Sequence, residues 1–174
     1  MRVTVKNIAA LGSLASMLGE VNPRLVSQSI NRVMEPERTK VRRSLARTTG
    51  APYQRVAQVT KTETATPGRL QYKIEAEDTF LPLSVFGARE VRSGVSAAPW
   101  RVRRVFKGSF MANGHAFHRA GAPRLPIVKM WGPNIAREMT REGGEPVTLW
   151  RIDAGAAGAK IAAEVLRRIR VGKP

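Results

Sequence analysis

Two periodicities divide this chain. Through the first third, apolar residues return at the spacing of a helix; after about residue 68 they alternate with polar ones, as in a half-buried strand. Val3 and Val5 alternate with Arg2 and Thr4, which predicts a short strand. Ile8, Leu11, Leu14 or Ala15, and Leu18 then predict an amphipathic helix over about residues 7–18. Asn22-Pro23 reads as a helix cap followed by a first-turn proline. The helix it opens presents Val26, Ile30, Val33 and Met34 on one side. Pro36 is expected to end or kink that helix, because proline has no amide donor and clashes with the preceding turn. Helical spacing resumes with Val41 and Leu45, leaving Arg42, Arg43 and Arg47 for solvent or a partner, and Thr48-Thr49-Gly50 closes the section. Ala51-Pro52 predicts one more short helix to about Lys61, followed by a polar turn over Thr62–Gly68.

The period then changes. Residues 69–76 (RLQYKIEA) alternate polar and apolar without a fault, predicting an antiparallel strand. Further strands are expected at 83–86, 100–110, 116–118 and 125–130. In the longest, Trp100, Val102, Phe106 and Phe110 share a parity opposite Arg101, Arg103 and Lys107, with a bulge or two-sided burial at Arg104-Val105. The proline in Leu81-Pro82-Leu83 favours an edge strand. Gly132-Pro133-Asn134 introduces a short helix over about 135–141. After Gly143-Gly144 a last helix starts between Pro146 and Asp153, with Ala157, Ile161, Val165 and Ile169 on one face and Glu164–Arg168 as a favourable i,i+4 pair.

This order predicts an α+β fold in one domain over 1–174: a mainly helical part over 1–61, an antiparallel β core over 69–131, and a C-terminal helical segment over 146–171 packed on it. Whether the N-terminal helices stay on the sheet or reach a neighbouring subunit, with Pro36 as hinge, is left open at this level.

Charge changes the picture. Thirty Lys and Arg against 13 Asp and Glu give a net charge of +17. Residues 86–137 hold Arg89, Arg92, Arg101, Arg103, Arg104, Lys107, Arg119, Arg124, Lys129 and Arg137 with a single acid, Glu90. Cations set among strand residues predict a folded basic surface facing nucleic acid, an anionic membrane or an acidic protein. There is no cysteine, which excludes disulfides and thiolate chemistry. No apolar run reaches the length of a membrane span. The N-terminus is too weakly hydrophobic for a signal peptide, so folding in a reducing cytoplasm is expected.

The stretch FGAREVRSGVSAAPW, residues 86–100, raises three chemical questions. Ser93-Gly94-Val95-Ser96 lacks the glycines of a nucleophile elbow, and with two histidines and two aspartates a triad has little to draw on. His115 and His118, three apart, point to opposite faces of a strand and do not chelate together. Gly87, Gly94, Arg89 and Arg92 suit a phosphate nest, but no Walker or dinucleotide pattern accompanies them. The reading is a connecting loop between strand ends at Phe86 and Trp100, with no catalytic, metal or cofactor site. Phe106 and Phe110 are expected in the core. Helix-turn-helix, zinc-finger and RNA-recognition patterns are absent, so any DNA contact is to the backbone.

Between residues 67 and 135 the chain reads PGRL, LPLSVFGARE, GVSAAPW, RRVFKGSFMA, GHAFHR and RLPIVKMWGPNI. This run resembles the prophage minor tail protein Z family, the tail completion proteins of long-tailed phages. Residues 23–56 are similar to the helical N-terminal half of that family, with Ile30-Asn31-Arg32 at its Leu-Asn-Arg-type motif. Trp131 and Asn134 depart from the RLPI…GPSI pattern, and the C-terminal helix matches in general character only. The resemblance implies a non-catalytic virion protein, without cofactors, that assembles in the host cytoplasm as a ring, hexameric in a six-fold tail, around the DNA path. It implies as partners the tail terminator, tail tube, tape-measure or neck proteins and lumenal DNA, with no membrane. Arg89, Arg92, Arg101, Arg103, Arg104, Lys107, Arg42 and Arg43 are the candidate contacts to a subunit or to DNA. The other reading is a free cytoplasmic protein that binds nucleic acid without sequence preference.

Overall fold

The computed structural model describes residues 22–172, the side chains of 152–154 excepted; the strand and helix expected before Asn22 lie outside these residues. Helix α1 (Pro23–Thr49) begins as its sequence predicts. The Asn22 side chain accepts the Arg24 N–H at 2.9 Å, and Pro23 sits in the first turn, where no donor is required. Gly50 ends it in the left-handed conformation, φ 77°, donating to the Ala46 carbonyl at 3.0 Å.

Pro36 does not end this helix, contrary to the first alternative expected of it. It lies on the exposed side, so the Arg32 carbonyl deprived of a partner faces water. On the other side Met34 and Val41 are buried across the proline, and their packing offsets the roughly 3 kcal/mol that an interior proline costs. α1 lies against the C-terminal helix, here α4 (Glu145–Arg170). Arg47–Glu145, Glu37–Lys160 (3.0 Å) and Gln28–Arg168 (2.7 Å) join them in reversed order, so the two run antiparallel. Leu25, Ile30, Met34, Val41 and Leu45 meet Trp150, Ala157, Ile161 and Val165 in the core. Ile169, expected on the same apolar face, is half exposed in the last turn of α4.

Helix α2 (Tyr53–Val59) is shorter than predicted: Thr60 and Lys61 already belong to β1 (Thr60–Glu63), which pairs with β2 (Lys73–Ala76). The eight-residue alternation therefore yields a four-residue strand. Arg69 instead closes a turn on Thr66, around Pro67-Gly68. Among the described residues β3 (Phe80–Pro82) pairs with β10 (Trp131–Asn134) alone, so that Pro82 lies in a two-stranded ladder, as an edge proline requires. Leu83–Phe86 is a 3-10 turn, not the expected strand: Leu83 and Phe86, three apart, both turn inward and are buried.

The long strand expected over 100–110 is three pieces. A 3-10 turn occupies Pro99–Arg101, β6 spans Arg104–Lys107, and β7 (Ser109–Ala112) follows a reversal at Gly108, φ 71°. The remaining strands are β4 (Arg89–Val91), β5 (Gly94–Ala97), β8 (His115–Arg119) and β9 (Ile127–Lys129). They form two antiparallel ladders, β4-β5-β6 and β7-β8-β9. Asn113 and Gly114, both at positive φ, make the two-residue turn of the β7–β8 hairpin. α3 (Ile135–Thr140) is capped by the Asn134 side chain, which accepts the Arg137 N–H at 3.1 Å. The architecture is α+β: a long N-terminal helix, several small antiparallel sheets, and a C-terminal helix packed on the first.

Candidate interaction surface

The stretch 86–100 folds around a hairpin, correcting the loop expected there. Gly87 turns the chain out of the 3-10 segment at φ 62°, β4 runs to Val91, Arg92-Ser93 form the turn, and β5 returns. Gly94 is required at its place. A Cβ there would lie 2.0 Å from the Phe106 carbonyl oxygen, so only glycine lets β6 pair so closely with β5.

Register decides where the predicted cations go. Arg89 pairs with Ser96 and Ser96 with Val105, while Val91, Gly94 and Lys107 form another row. Alternation places both rows on one face of the ladder, together with Arg103, whose Nη1 donates to Ser96 Oγ at 3.2 Å. The opposite face carries Val95 and Ala97 into the core, with Arg104 at its exposed end across from Ala97. Arg92 lies in the hairpin turn. Arg101 follows Trp100 in a strained turn, both at positive φ (60° and 52°), and Trp100 Nε1 is held by Glu138 Oε1 at 2.9 Å. Six of the eight candidates thus belong to one region.

The helical pair does not join them. Arg42 is turned inward: its Nε donates to Thr60 Oγ1 at 2.8 Å and its Nη2 to the Thr60 carbonyl at 2.7 Å, tying α1 to β1. Arg43 is exposed on α1.

Charge is segregated between the two halves. The helices and β1–β2 pair their carboxylates internally, as in Glu164 with Arg167 and Arg168, Glu145 with Arg47, Glu77 with Lys61 and Glu63 with Arg69. Hydrogen bonds from Arg167 and Arg168 hold the Glu164 carboxyl far below its usual range, at about 2. Among the described residues, Arg89, Arg92, Arg101, Arg103, Arg104, Lys107, Arg119, Arg124 and Lys129 have no carboxylate partner of this kind. Exposed apolar side chains lie among them: Trp100 (45%), Val102 and Val105 near the first ladder, Leu125, Ile127, Val128 and Trp131 (52%) near the second. Arginine and exposed aromatics together are the composition of a protein interface more than of a merely solvated surface.

The sequence did not point to the outer face of β7-β8-β9. Phe110, expected in the core, stacks there on Phe117, with ring centroids 6.2 Å apart. Alternation along Phe110, Ala112, His115, Phe117 and Arg119 carried that signal, obscured by the assumption of one continuous strand from Trp100.

Catalytic groups do not assemble on Ser93 or Ser96. Ser93 is exposed in the turn and Ser96 is buried against Arg103. His115 Nδ1 lies 3.3 Å from Ser84 Oγ, a pair that sequence did not suggest, but no described carboxylate hydrogen-bonds to His115. His115 and His118 occupy opposite faces of β8, and the described residues contain no cluster of three metal-ligating side chains. No described helix is long and apolar enough to cross a membrane.

The fold and surface define an α+β chain with a paired-charge helical half and a cationic, partly apolar sheet half. Comparison with family models, curated proteins and solved structures gave no match.

Proposed function

We propose that this chain is a structural subunit of a phage tail: a tail completion protein that forms a ring at the head–tail junction or tail-tube end, around the DNA path. The observation that carries the reading is the set of nine sheet-half cations without carboxylate partners among the described residues, interleaved with exposed Trp100, Val102, Val105 and Trp131. Such a surface is completed by an anionic or acidic neighbour, which a ring of like subunits gains from lumenal DNA and adjoining tail proteins. The stretches that carry the family resemblance lie in this same half: LPLSVFGARE spans β3 to β4, RRVFKGSFMA spans β6 and β7, and RLPIVKMWGPNI spans β9 and β10.

Replacing Arg103 and Arg104 together with alanine tests it. Both are exposed, Arg103 just before β6 and Arg104 at its start, and among the described residues only the Arg103–Ser96 hydrogen bond is lost. The isolated chain is expected to fold normally while tails fail to join DNA-filled heads. A normal yield of infectious particles contradicts the reading.

The same unpaired cations favour a second reading, a sequence-independent nucleic-acid-binding protein acting outside any particle. A salt titration of the isolated chain on duplex DNA separates the two. Tight binding at physiological salt favours the second; weak binding that appears only at low salt favours the first.

A further inference from the structure

The free edge of β9 combines open backbone groups, exposed apolar side chains and unpaired cations. Met130 N–H donates to the Ala116 carbonyl at 2.8 Å, and Ala120 N–H to the Pro126 carbonyl at 3.1 Å. Bonded pairs alternate along an antiparallel ladder, so the N–H and C=O of Ile127 and Lys129, between these points, face away from β8. Among the described residues no strand lies beyond β9 in its ladder. Ile127 and Val128, on its two faces, are 40% and 43% exposed. β4 and β6 are also edges, but Arg89, Arg104 and Lys107 guard them with charge, the usual device against unwanted pairing. β9 carries a single lysine, and its Nζ is drawn over the Trp131 ring, 4.9 Å from the centroid.

We propose that this edge accepts an extended segment of a different protein, acidic and apolar in alternation, as a fourth strand of the β7-β8-β9 ladder. Charge identifies the occupant. Lys129 lies on the edge strand and Arg119 on the same face of β8, turned towards Phe110 of β7, and neither has a described carboxylate partner. A second copy of this chain is a poor source of acid. Its described carboxylates, Glu90 and Glu142 apart, already hold a lysine or arginine of their own chain, from Glu35 with Arg38 to Glu164 with Arg168. Nucleic-acid bases suit the face less well. Arg119 sits 5.8 Å from the Phe110 centroid and Lys129 covers Trp131, so a stacking base would displace a cation from each ring. A carboxylate on that face meets Lys129 from solvent and leaves the rings covered, while the apolar residues of the same strand, on the opposite face, cover Val128. This inference concerns one edge of the chain and does not depend on the assembly proposed above.

The test uses the full chain and a blocked, fluorescent peptide alternating glutamate and isoleucine. A second peptide has every backbone nitrogen methylated, and oligothymidylate is a third probe. The expected result is saturable binding of the first peptide, slowed hydrogen exchange at the Ile127 and Lys129 amides, and loss of binding by the methylated peptide. Lys129→Pro should bind about tenfold more weakly than Lys129→Ala, because it also removes one outward amide while sparing the bonds to β8. Retained protection of the Met130 amide shows that the ladder is intact. Equal binding of the methylated peptide overturns the proposal. So does protection of these amides by oligothymidylate alone, or by self-association that Ile127→Glu abolishes.

Discussion

Asn31 on α1 and Ala65 in the turn after β1 form a reciprocal pair. The Asn31 side chain donates Nδ2–H to the Ala65 carbonyl at 2.9 Å and accepts the Ala65 N–H at 2.7 Å. An amide side chain here does what a neighbouring strand would do, satisfying both backbone groups of a buried residue outside any ladder. Asn31→Ala is expected to destabilise the chain by about 1–3 kcal/mol, since it leaves a buried amide and carbonyl unpaired. Asn31→Asp does not rescue it, because a carboxylate cannot donate to the Ala65 carbonyl. Urea unfolding midpoints of the two variants check both statements. Unchanged midpoints contradict them.

Gly94 makes a harder demand. At φ 147°, with the Phe106 carbonyl oxygen 2.0 Å from where a Cβ would stand, Gly94→Ala forces β5 and β6 apart. A loss of about 3 kcal/mol or more is expected, together with faster hydrogen exchange along β6. Gly108→Ala is the informative control, because its φ is also positive (71°) but nothing lies within 4 Å of the added carbon. It should be the milder of the two. Equal effects contradict the steric account.

Glu164 gives a pH dependence with a definite sign. Its carboxyl is lowered from 4.5 to about 2, first by hydrogen bonds from Arg167 and Arg168, then by the charge of Arg167 and of Arg32. A folded-state value below the unfolded one means that the carboxylate stabilises the fold in full above about 4.5. That contribution declines as the pH falls towards 2. The stability difference between the native chain and Glu164→Gln should therefore be flat above pH 4.5 and shrink below it. A difference independent of pH over this range refutes the assignment.

Tyr72 works in the opposite range. Burial, and then the charge of Glu35, which accepts its hydroxyl at 3.3 Å, raise the phenol to about 12. The neutral phenol is the form the fold favours, so its contribution is complete below about 10 and is lost as the pH rises through 12. The chain has two tyrosines. In Tyr53→Phe, ultraviolet absorbance follows Tyr72 alone, and its ionisation should centre near 12. A midpoint near 10 contradicts the buried hydrogen bond.

Much of the helical half was legible because its signals are local. Asn22-Pro23 and Gly50 mark the ends of α1, Asn134 caps α3, and Glu164–Arg168 forms at its predicted spacing. Pro36 misled because its propensity is local while the packing across it, between Met34, Val41 and α4, is not. The sheet half was less legible for a related reason. Strands of three to five residues give too little alternation to locate their ends. Trp100-Arg101 adopts positive φ that neither residue type announces. Of the candidate cations, the six on 89–107 fall in one region of the sheet half because they are close in sequence. Arg42 does not join them, and nothing in its own segment shows that Thr60 will come to meet it.

The central claim, that this chain is a ring-forming tail subunit, is tested most directly by locating it. Tailed particles from cells carrying the native coding region, with the chain tagged for gold labelling, would be imaged by electron microscopy. The account predicts label at the head–tail junction or the end of the tail tube, and a ring of density there that is missing when the coding region is deleted. Particles that assemble and infect without the chain, or label absent from particles, would contradict it.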